Sequence, residues 1–236
     1  MNIPEAIKYP RELSLLGPWP EVHGAHLTFV ASEDFRQTAM VVPSPSSSAK
    51  AKAVLREEAR ARRKAFVAGL AADQRELLEA SLCGVLEPLM TSAGIVAGYH
   101  AIGSEIDPQM AMHWAGNHLT IVALPAFAER ESTMIFRVGD CAEAGPYGIP
   151  QPPRHASQVA PDLVLVPLLA VDQAGTRLGQ GGGHYDRVLA KLRTNGARII
   201  GLGWAIQRVD FALPREPWDV PLDGFASPDG LEWFPA

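Results

Sequence analysis

Two periods of apolar residues alternate along the chain and predict helices separated by strands. Apolar side chains recur at helical spacing from Leu55 to Phe66, where Gly69 is a stop signal, and again from Leu77 to Leu89. Short apolar runs typical of strands follow at 94–99, 119–124, 133–138, 163–169 and 198–203. The run at 163–169 is the most apolar and is predicted to be central, whereas 133–138 is predicted to lie at an edge or on the exposed side of the sheet.

Local end signals place the helices between these strands. A second helix is predicted to begin at Asp73 as its N-cap, with Glu76 in the capping-box position. Asp107-Pro108 predicts the start of a third helix, because proline suits the first helical position, and 185–192 reads as a fourth. Strands separated by helices require crossover connections. The predicted fold class is therefore α/β, a single-domain open sheet that is mainly parallel and has helices on both faces.

The N-terminal segment differs in composition from the rest of the chain. Residues 1–48 lack sustained periodicity and end in a proline- and serine-rich run, which is a linker composition. We expect an irregular or disordered extension over 1–48 and one α/β domain over 49–236. Met40 offers a second start codon, so part of the extension would not be translated if that codon were used.

Composition narrows the class of protein. The 236 residues are 47% hydrophobic and 20% charged with a net charge of −5, which allows a full core and gives no basic surface for nucleic acid. No apolar stretch is long enough to span a membrane, and no secretion signal opens the chain. Cys83 and Cys141 stand in dissimilar contexts that disfavour a disulfide or a metal site. These features together predict a cytoplasmic protein.

The run 177–187 carries the strongest functional signal. Four of the five positions from Gly179 to Gly183 are glycine, so an anion can approach the peptide N–H groups, and the run leads from a strand into a helix. It has neither the Lys-Ser/Thr ending of the P-loop nor the spacing of the dinucleotide fingerprint. A plain turn would also use glycine. The flanking charges of Arg177, Asp186 and Arg187 favour a phosphate site instead.

Other charged residues are candidates for holding a phosphate or a metal ion. Lys52 and Arg56 lie four apart and share one face of the first helix, where they can grip a polyphosphate. Asp186 and Asp219 are candidate Mg²⁺ ligands, with helix capping as the alternative for Asp186. Glu105 follows the first strand, with first-turn helix electrostatics as its alternative role.

The first helix carries further charges, and most such charge belongs to a solvated face. These residues are Arg60, Arg62, Arg63 and Lys64 beside Glu57 and Glu58. By this reading alone, a solvated face is the simpler interpretation of Lys52 and Arg56 as well.

The chain contains no recognisable nucleophile motif. It lacks a G-x-S-x-G elbow, an H-E-x-x-H sequence and a Cys/His cluster with metal spacing. His100, His113 and His118 are scattered, which favours structural roles. Phosphoryl transfer needs no protein nucleophile, because positioning and cations can supply the rate, so ATP chemistry is compatible with this sequence.

Four motifs together resemble the 5-formyltetrahydrofolate cyclo-ligase family, also called methenyltetrahydrofolate synthetases. The most specific is Val-Pro-Leu-Leu-Ala-Val-Asp at 166–172 followed by Arg-Leu-Gly-Gln-Gly-Gly-Gly-His-Tyr-Asp-Arg at 177–187. The others are Lys-Ala-Val-Leu-Arg at 52–56, Ser-Glu-Ile-Asp at 104–107 and Tyr-Gly-Ile-Pro-Gln-Pro at 147–152. The resemblance covers about residues 49–225.

The resemblance implies a Rossmann-like three-layer fold and a specific reaction. The reaction is ATP- and Mg²⁺-dependent cyclisation of 5-formyltetrahydrofolate to 5,10-methenyltetrahydrofolate, with release of ADP and phosphate. The implied ATP-binding residues are Lys52, Arg56, Arg177, Gly179, Gly181, Gly182, Gly183 and Tyr185. Among these, the resemblance gives a catalytic role to Lys52, Arg56 and Arg177. The implied folate-side residues are Glu105, His100, Gln180 and His184, and the implied metal ligands are Asp186 and Asp219. The expected partners are ATP and a reduced folate, with no nucleic acid or membrane, and the expected assembly is a monomer or homodimer.

Some residues depart from the family pattern. His184 replaces the usual first Tyr before Tyr185, Gln180 stands where a bulky or basic residue is common, and Trp218 replaces a typical His. The tail Gly-Phe-Ala-Ser at 224–227 also differs from the family's usual Val-Thr-Glu. Two other functions stay open at this point: a non-catalytic folate- or nucleotide-binding relative, and a sugar-phosphate isomerase, which would need a carboxylate dyad and no ATP.

Overall fold

A computed structural model describes residues 45–146 and 148–235 of the chain. The helices are α1 (Pro45–Ala68), α2 (Ala72–Thr91), α3 (Gln109–Asn117) and α4 (His184–Thr194). The strands are β1 (Ile95–Ala97), β2 (Ile121–Ala126), β3 (Ile135–Val138), β4 (Glu143–Ala144), β5 (Pro150–Gln151), β6 (Gln158–Val159), β7 (Leu163–Pro167), β8 (Ala170–Val171), β9 (Arg177–Leu178), β10 (Arg198–Leu202), β11 (Gly224–Ser227) and β12 (Gly230–Trp233). A 3₁₀ helix at Ala205–Gln207 follows β10.

An eight-stranded sheet forms the centre of the described chain, in the order β12-β11-β10-β7-β1-β2-β3-β6. The pairs β11·β10, β10·β7, β7·β1 and β1·β2 are parallel, and the outer pairs are antiparallel. The predicted α/β fold class with a mainly parallel sheet is confirmed. The strand predicted to be central, β7, has four buried residues, Leu163–Val166, because both of its faces are covered.

Alternate residues of β7 divide the core into two layers, since successive side chains point to opposite faces of a strand. Leu163 and Leu165 pack with α2 and α3 on one face. Val164 and Val166 pack with α4 on the other face. In a third cluster, Leu55 of α1 packs against the β8–β9 hairpin. Helices therefore cover both faces, as the sequence pattern predicts.

Several element ends differ from the predictions. The N-cap of α2 is Ala71 rather than Asp73, and Gln74 rather than Glu76 closes the turn by accepting the Ala71 N–H through Oε1 at 3.1 Å. Pro108 is the N-cap of α3 instead of its first helical residue. The predicted strand 119–124 is shifted to Ile121–Ala126, and Leu119 adopts a φ of 66° at the turn.

Two further differences concern the regions flanking the site. The predicted strand 163–169 ends at Pro167, and the β8–β9 hairpin stands between it and the glycine run. Helix α1 begins at Pro45, ahead of the predicted start at Ala49. The remainder of the predicted N-terminal extension, 1–44, lies outside the described residues.

Candidate active site

A cavity of about 700 Å³ opens beyond the carboxyl ends of the parallel strands. Crevices in this position bind ligands in open α/β sheets. All residues predicted for the site line it, namely Lys52, Arg56, His100, Glu105, Arg177, Gly179, Gln180, Gly181, Gly182, Gly183, His184, Tyr185, Asp186 and Asp219. The fold thus brings together the residues predicted for phosphate, folate and metal, although they come from four separate chain segments.

The glycine run forms the floor of this cavity between β9 and α4. Gly181 has a φ of 104° and Gly183 a φ of 62°, backbone conformations that other residues rarely adopt. Gly183 is also the N-cap of α4, so the first N–H groups of the helix open toward the cavity. A Cβ at Gly182 would lie 2.7 Å from Cδ2 of His184. The loop therefore needs glycine for its backbone shape and for close contact with a ring.

Helix α1 holds the glycine run with a row of cations. The Nε of Arg56 donates to the carbonyl oxygen of Gly179 at 3.0 Å, and Arg60 donates to both the side chain and the carbonyl of Gln180. Burial lowers the pKa of Arg56, and the nearby Arg60 lowers it further. Arg60 is exposed, as the predicted solvated face requires, and its guanidinium binds the loop from that position.

Lys52 and Asp219 form an ion pair at one end of this row. The Lys52 Nζ lies 2.5 Å from Oδ2 of Asp219, and that oxygen also accepts the N–H of Glu216 at 2.8 Å. Within the described part of the chain, the second carboxylate oxygen of Asp219 has no hydrogen bond or ion pair. It is available to a ligand in the cavity.

Arg177 and Asp186 form a second ion pair in the cavity lining. The Nη2 of Arg177 lies 2.6 Å from Oδ1 of Asp186, and the guanidinium lies 5.6 Å from the ring centroid of Tyr185. Helix capping by Asp186 is not observed, because Gly183 is the N-cap and the Asp186 carboxylate turns to Arg177. The Arg177 side chain is 5% exposed, and its Nε has no hydrogen-bond partner among the described residues. A buried donor of this kind requires an acceptor, which an anion in the cavity would supply.

The carboxylates of Asp186 and Asp219 suit Mg²⁺ only in company with another ligand. No group of three or more His, Cys, Asp or Glu side chains forms a metal site within the ranges that the structure describes. Mg²⁺ commonly uses one or two protein carboxylates together with substrate phosphates and water. The donor set fits such a shared site rather than an ion held by the protein alone.

Glu105 is buried between α1 and the glycine run. Its Oε1 lies 3.6 Å from Nη1 of Arg63 and accepts the Nε2–H of Gln180 at 3.2 Å. Its Oε2 accepts the N–H of Ile102 at 3.0 Å. Because α3 begins only at Gln109, a first-turn role in that helix is excluded for Glu105. The carboxylate instead faces the cavity as a fixed acceptor.

Arg63 is the functional neighbour that the sequence pattern concealed. It is 5% exposed, donates to Oγ of Ser104 and the carbonyl of Leu168, and pairs with Glu105, so its assignment to a solvated face is wrong. The signal was present, because Lys52, Arg56, Arg60 and Arg63 recur at the helical intervals that place side chains on one face. Burial lowers the pKa of Arg63, and the Glu105 carboxylate opposes that shift.

His184 is held by neighbours on two sides. Arg187 Nη2 lies 3.0 Å from Nδ1 of His184, and since a guanidinium only donates, Nδ1 accepts and the ring carries its proton on Nε2. The ring of Phe127 meets His184 edge-on at a centroid distance of 5.0 Å. Burial and the Arg187 charge lower the pKa of His184 below its usual value.

The remaining wall of the cavity is largely apolar. It is built from the end of β2, the connection between β2 and β3, and the start of β5, and consists of Leu124, Pro125, Phe127, Met134, Ile149 and Pro150. Gln151 fixes this wall, since its side chain accepts from the Phe127 N–H and donates to the Phe127 carbonyl, both at 3.0 Å. His100 lines the cavity while exposed. The cavity therefore has a cationic half and an apolar half that meet at the glycine run.

Comparison with known proteins decides the family. The model of the 5-formyltetrahydrofolate cyclo-ligase family matches residues 48–228. The chain belongs to this family. The resemblance found in the motifs is confirmed over residues 48–228, a range that contains all four motifs.

Similar cyclo-ligases and solved structures agree with this assignment. The chain is 41% identical over 80 residues to the 5-formyltetrahydrofolate cyclo-ligase of Haemophilus influenzae, covering 32% of this chain and 42% of that protein. It is 40% identical over 73 residues to the Escherichia coli K12 cyclo-ligase, covering 30% and 40%. These matches span less than half the length of the relatives.

The structural similarity is more extensive than the local sequence identity. The NMR structure of Aquifex aeolicus 5,10-methenyltetrahydrofolate synthetase aligns with a TM-score of 0.66 and 25% identity over 78% of this chain and 93% of that one. The synthetase from Mycoplasma pneumoniae has the same fold, with a TM-score of 0.58 and 22% identity over 75% and 98%. The cyclo-ligase fold is therefore shared across the domain.

Three further features concern the cysteines, the apolar character of the helices and His118. Both cysteines are free, and Cys83 is buried on α2. Among the described helices, none has the length and apolar character needed to cross a bilayer. His118 stacks on Trp114 at a centroid distance of 4.0 Å, away from the cavity, which agrees with a structural role.

Proposed function

We propose that the protein catalyses the ATP-dependent cyclisation of 5-formyltetrahydrofolate to 5,10-methenyltetrahydrofolate, releasing ADP and phosphate. One observation carries the proposal beyond family membership: a single cavity joins an anion cradle to an apolar wall through the Gln180–Glu105 contact. A reaction between a nucleotide and a folate requires both substrates in one water-poor space.

The cationic half is the proposed ATP site. Arg177 supports this assignment, because its buried Nε lacks a partner and Arg56 keeps the terminal nitrogens of its guanidinium for an anion. The open N–H groups of the Gly179–Gly183 loop and the N-terminus of α4 add to the attraction for phosphate. Lys52, Arg56 and Arg177 would hold the phosphates of ATP and neutralise the charge that develops on them.

Asp186 and Asp219 are the proposed Mg²⁺ ligands. Each carboxylate has one oxygen in an ion pair and lines the cavity with the other available. When bound with ATP, Mg²⁺ would neutralise charge on the phosphates.

The apolar half is the proposed folate site. Glu105 offers a fixed carboxylate to N–H donors of the pterin ring, while Phe127, Met134 and Ile149 exclude water from the aromatic part of the substrate. His100, Gln180 and His184 would supply the neighbouring polar contacts. Tyr185 is half-buried, and desolvation raises its pKa and would keep the phenol neutral beside both substrates.

The proposed chemistry has two steps. The formyl oxygen attacks the γ-phosphorus, the bond from that phosphorus to the bridging oxygen breaks, and ADP leaves a phosphorylated imidate. N10 then attacks the formyl carbon, the carbon–oxygen bond breaks, and inorganic phosphate departs with the bonding electrons while the N10 proton passes to solvent. No protein nucleophile is needed, and the side chains act by position and charge.

The decisive experiment mixes purified protein with 5-formyltetrahydrofolate and Mg-ATP and follows the absorbance of methenyltetrahydrofolate. We expect growth of that absorbance only when both substrates are present. Folded protein that binds ATP and 5-formyltetrahydrofolate but forms no product would contradict the proposal. It would favour the alternative, a non-catalytic folate- or nucleotide-binding relative. A sugar-phosphate isomerase would need no ATP, and the family match disfavours it.

We place the reaction in a reducing compartment, the cytoplasm, because both cysteines are free thiols. The substrates would be the principal partners of a monomer or homodimer. Gel filtration with light scattering measures that assembly.

A further inference from the structure

Trp218 is exposed at the edge of the cavity. Its side chain is 68% exposed, whereas Trp204 is fully buried in the core. Trp218 nevertheless lines the cavity next to Asp219. A large indole facing solvent at a ligand site is an unpaired apolar surface that a bound molecule would cover.

A rigid turn holds Trp218 in this position. The N–H of Asp219 donates to the carbonyl of Glu216 at 3.0 Å, so Pro217 and Trp218 occupy the two central positions of a β-turn. The Asp219 carboxylate closes the same turn by accepting the Glu216 N–H at 2.8 Å. The ion pair with Lys52 then ties the turn to α1. An aromatic ring on such a support loses little conformational entropy when it binds a planar partner.

Helix α1 orders the contents of the cavity along its length. From its N-terminal side, Lys52 contacts Asp219, Arg56 contacts Gly179, Arg60 contacts Gln180 and Arg63 contacts Glu105. At 1.5 Å of rise per residue, the Lys52 end and the Glu105 end lie about 16 Å apart. Trp218 stands at the Lys52 end, opposite the proposed folate carboxylate.

Under the proposed function, this order sets the direction in which ATP would lie. The γ-phosphate must face the formyl group, and therefore the Glu105 end, while the remaining phosphates extend along Arg56 and Lys52. The nucleoside then projects toward the Lys52 end. Trp218 is the exposed aromatic side chain of the cavity lining at that end.

We infer that Trp218 is the stacking platform for the purine base of ATP. The inference rests on the proposed function, since it takes the folate to lie at Glu105. Stacking of a base on an aromatic side chain is sequence-tolerant and contributes about 1–3 kcal/mol. Trp218 thus selects for a planar base while the cations hold the phosphates.

The experiment separates the base from the phosphates. Calorimetric titration compares Mg-ATP with Mg-tripolyphosphate, which carries the phosphates and no base, for wild type and Trp218→Ala. We expect Trp218→Ala to weaken ATP binding by roughly 5- to 100-fold, as loss of a stacked base would. Tripolyphosphate affinity and the KM for 5-formyltetrahydrofolate should stay within about twofold, which is the size of surface-substitution effects. Trp218→Phe should retain part of the ATP affinity.

Trp233→Ala is the matched control. Trp233 is 51% exposed on β12 and lies under the Arg198 guanidinium, outside the cavity lining. Removal of the Trp233 ring should change the affinity for neither Mg-ATP nor Mg-tripolyphosphate. Equal weakening of ATP and tripolyphosphate by Trp218→Ala would overturn the inference, because Trp218 would then only support the Lys52–Asp219 pair. A selective rise in the folate KM would overturn it as well.

Failure of the proposed ATP site and failure of the Trp218 stacking platform give different results in these titrations. Wild-type protein that binds neither ATP nor tripolyphosphate would contradict the ATP site itself, and the inference with it. Wild-type protein that forms methenyltetrahydrofolate while Trp218→Ala binds ATP normally would overturn the stacking platform alone.

Discussion

The Nζ of Lys52 lies 2.5 Å from Oδ2 of Asp219, although the two residues are 167 positions apart in the chain. The pair joins the first helix to the turn that follows the 3₁₀ helix, at the edge of the cavity. The pair fixes the position of Lys52, which still lines the cavity. The other carboxylate oxygen of Asp219 stays available to a ligand. The proposed phosphate grip and the proposed metal ligand are thus a single structural unit.

Lys52→Ala tests this unit. Loss of a charged hydrogen bond to phosphate should lower kcat/KM for ATP by roughly 10- to 100-fold, while the KM for 5-formyltetrahydrofolate changes by less than about twofold. Initial rates of methenyltetrahydrofolate formation measure both constants. Lys64→Ala is the control, because Lys64 is exposed on the same helix and does not line the cavity. An equal loss for both substrates would contradict the assignment of Lys52 to the phosphates.

Gly181→Ala tests the shape of the glycine run. Gly181 has a φ of 104°, and a Cβ there would lie 3.4 Å from the guanidinium of Arg56. We expect a stability loss of about 1–3 kcal/mol from the backbone and, in addition, a rise of at least about tenfold in the KM for ATP.

Gly139→Ala provides the matched control for Gly181→Ala. Gly139 has a φ of 108° with no atom within 4 Å of an added Cβ, and it does not line the cavity. It should lose similar stability in urea unfolding while its KM for ATP is unchanged. If both variants raise this KM equally, backbone strain alone explains the effect and the phosphate cradle is wrong.

Arg63 and Glu105 form a buried pair whose loss should be costly. Both side chains are 6% exposed, so Arg63→Met leaves an uncompensated charge on Glu105 and should lower the free energy of unfolding by about 3–5 kcal/mol. Glu105→Gln should raise the KM for 5-formyltetrahydrofolate by about tenfold or more and leave the KM for ATP unchanged, because the fixed carboxylate acceptor is lost. Urea unfolding and initial rates measure the two effects.

The double variant Arg63→Met/Glu105→Gln distinguishes a charge effect from lost packing. It should recover part of the stability that Arg63→Met loses, since no unpaired carboxylate is left. Arg208→Met breaks the more exposed ion pair with Glu232 and should cost less than about 1 kcal/mol. Additive losses in the double variant would show that Arg63 acts through its contacts with Ser104 and Leu168 instead.

His184 should make the protein less stable in mild acid. Burial and Arg187 lower its pKa in the folded state, so the unfolded chain binds a proton more readily than the folded one. Stability from this residue is present at neutral pH and is lost as the pH falls through the unfolded value of about 6.5. The difference between wild type and His184→Phe in urea unfolding, taken from pH 5 to 7.5, isolates this contribution. Arg187→Met should weaken this pH dependence, because the Arg187 charge is one cause of the lowered pKa. The prediction is contradicted if wild type gains stability relative to His184→Phe as the pH falls.

Local sequence signals were sufficient for most of the fold. The apolar run at 163–169 predicts a strand covered on both faces, and β7 is central in the sheet. The alternation of helices and strands predicts crossovers, and the observed order contains four parallel pairs. The capping residue of α2 was not predictable from composition, because Asp73 and Gln74 both accept backbone hydrogen bonds in that turn.

The site was predictable as a set of residues but not as a set of contacts. The glycine run and its motifs predict that Lys52, Glu105, Asp186 and Asp219 share one function, and the fold places them around one cavity. The helical spacing places Arg63 on the same face as Lys52 and Arg56, but the spacing does not show whether an arginine on that face is buried or solvated. Only its partner Glu105 distinguishes the two cases.

The sequence by itself determined which backbone could form the anion cradle, since glycine content and helical or strand periodicity are local properties of the chain. Tertiary structure alone decided which charges are paired, that Gln180 bridges Arg60 and Glu105, and that Trp218 stands exposed at the Lys52 end of the cavity. These relationships join segments that are distant in the chain. They depend on how the helices pack across the sheet, and that packing is set by the whole core.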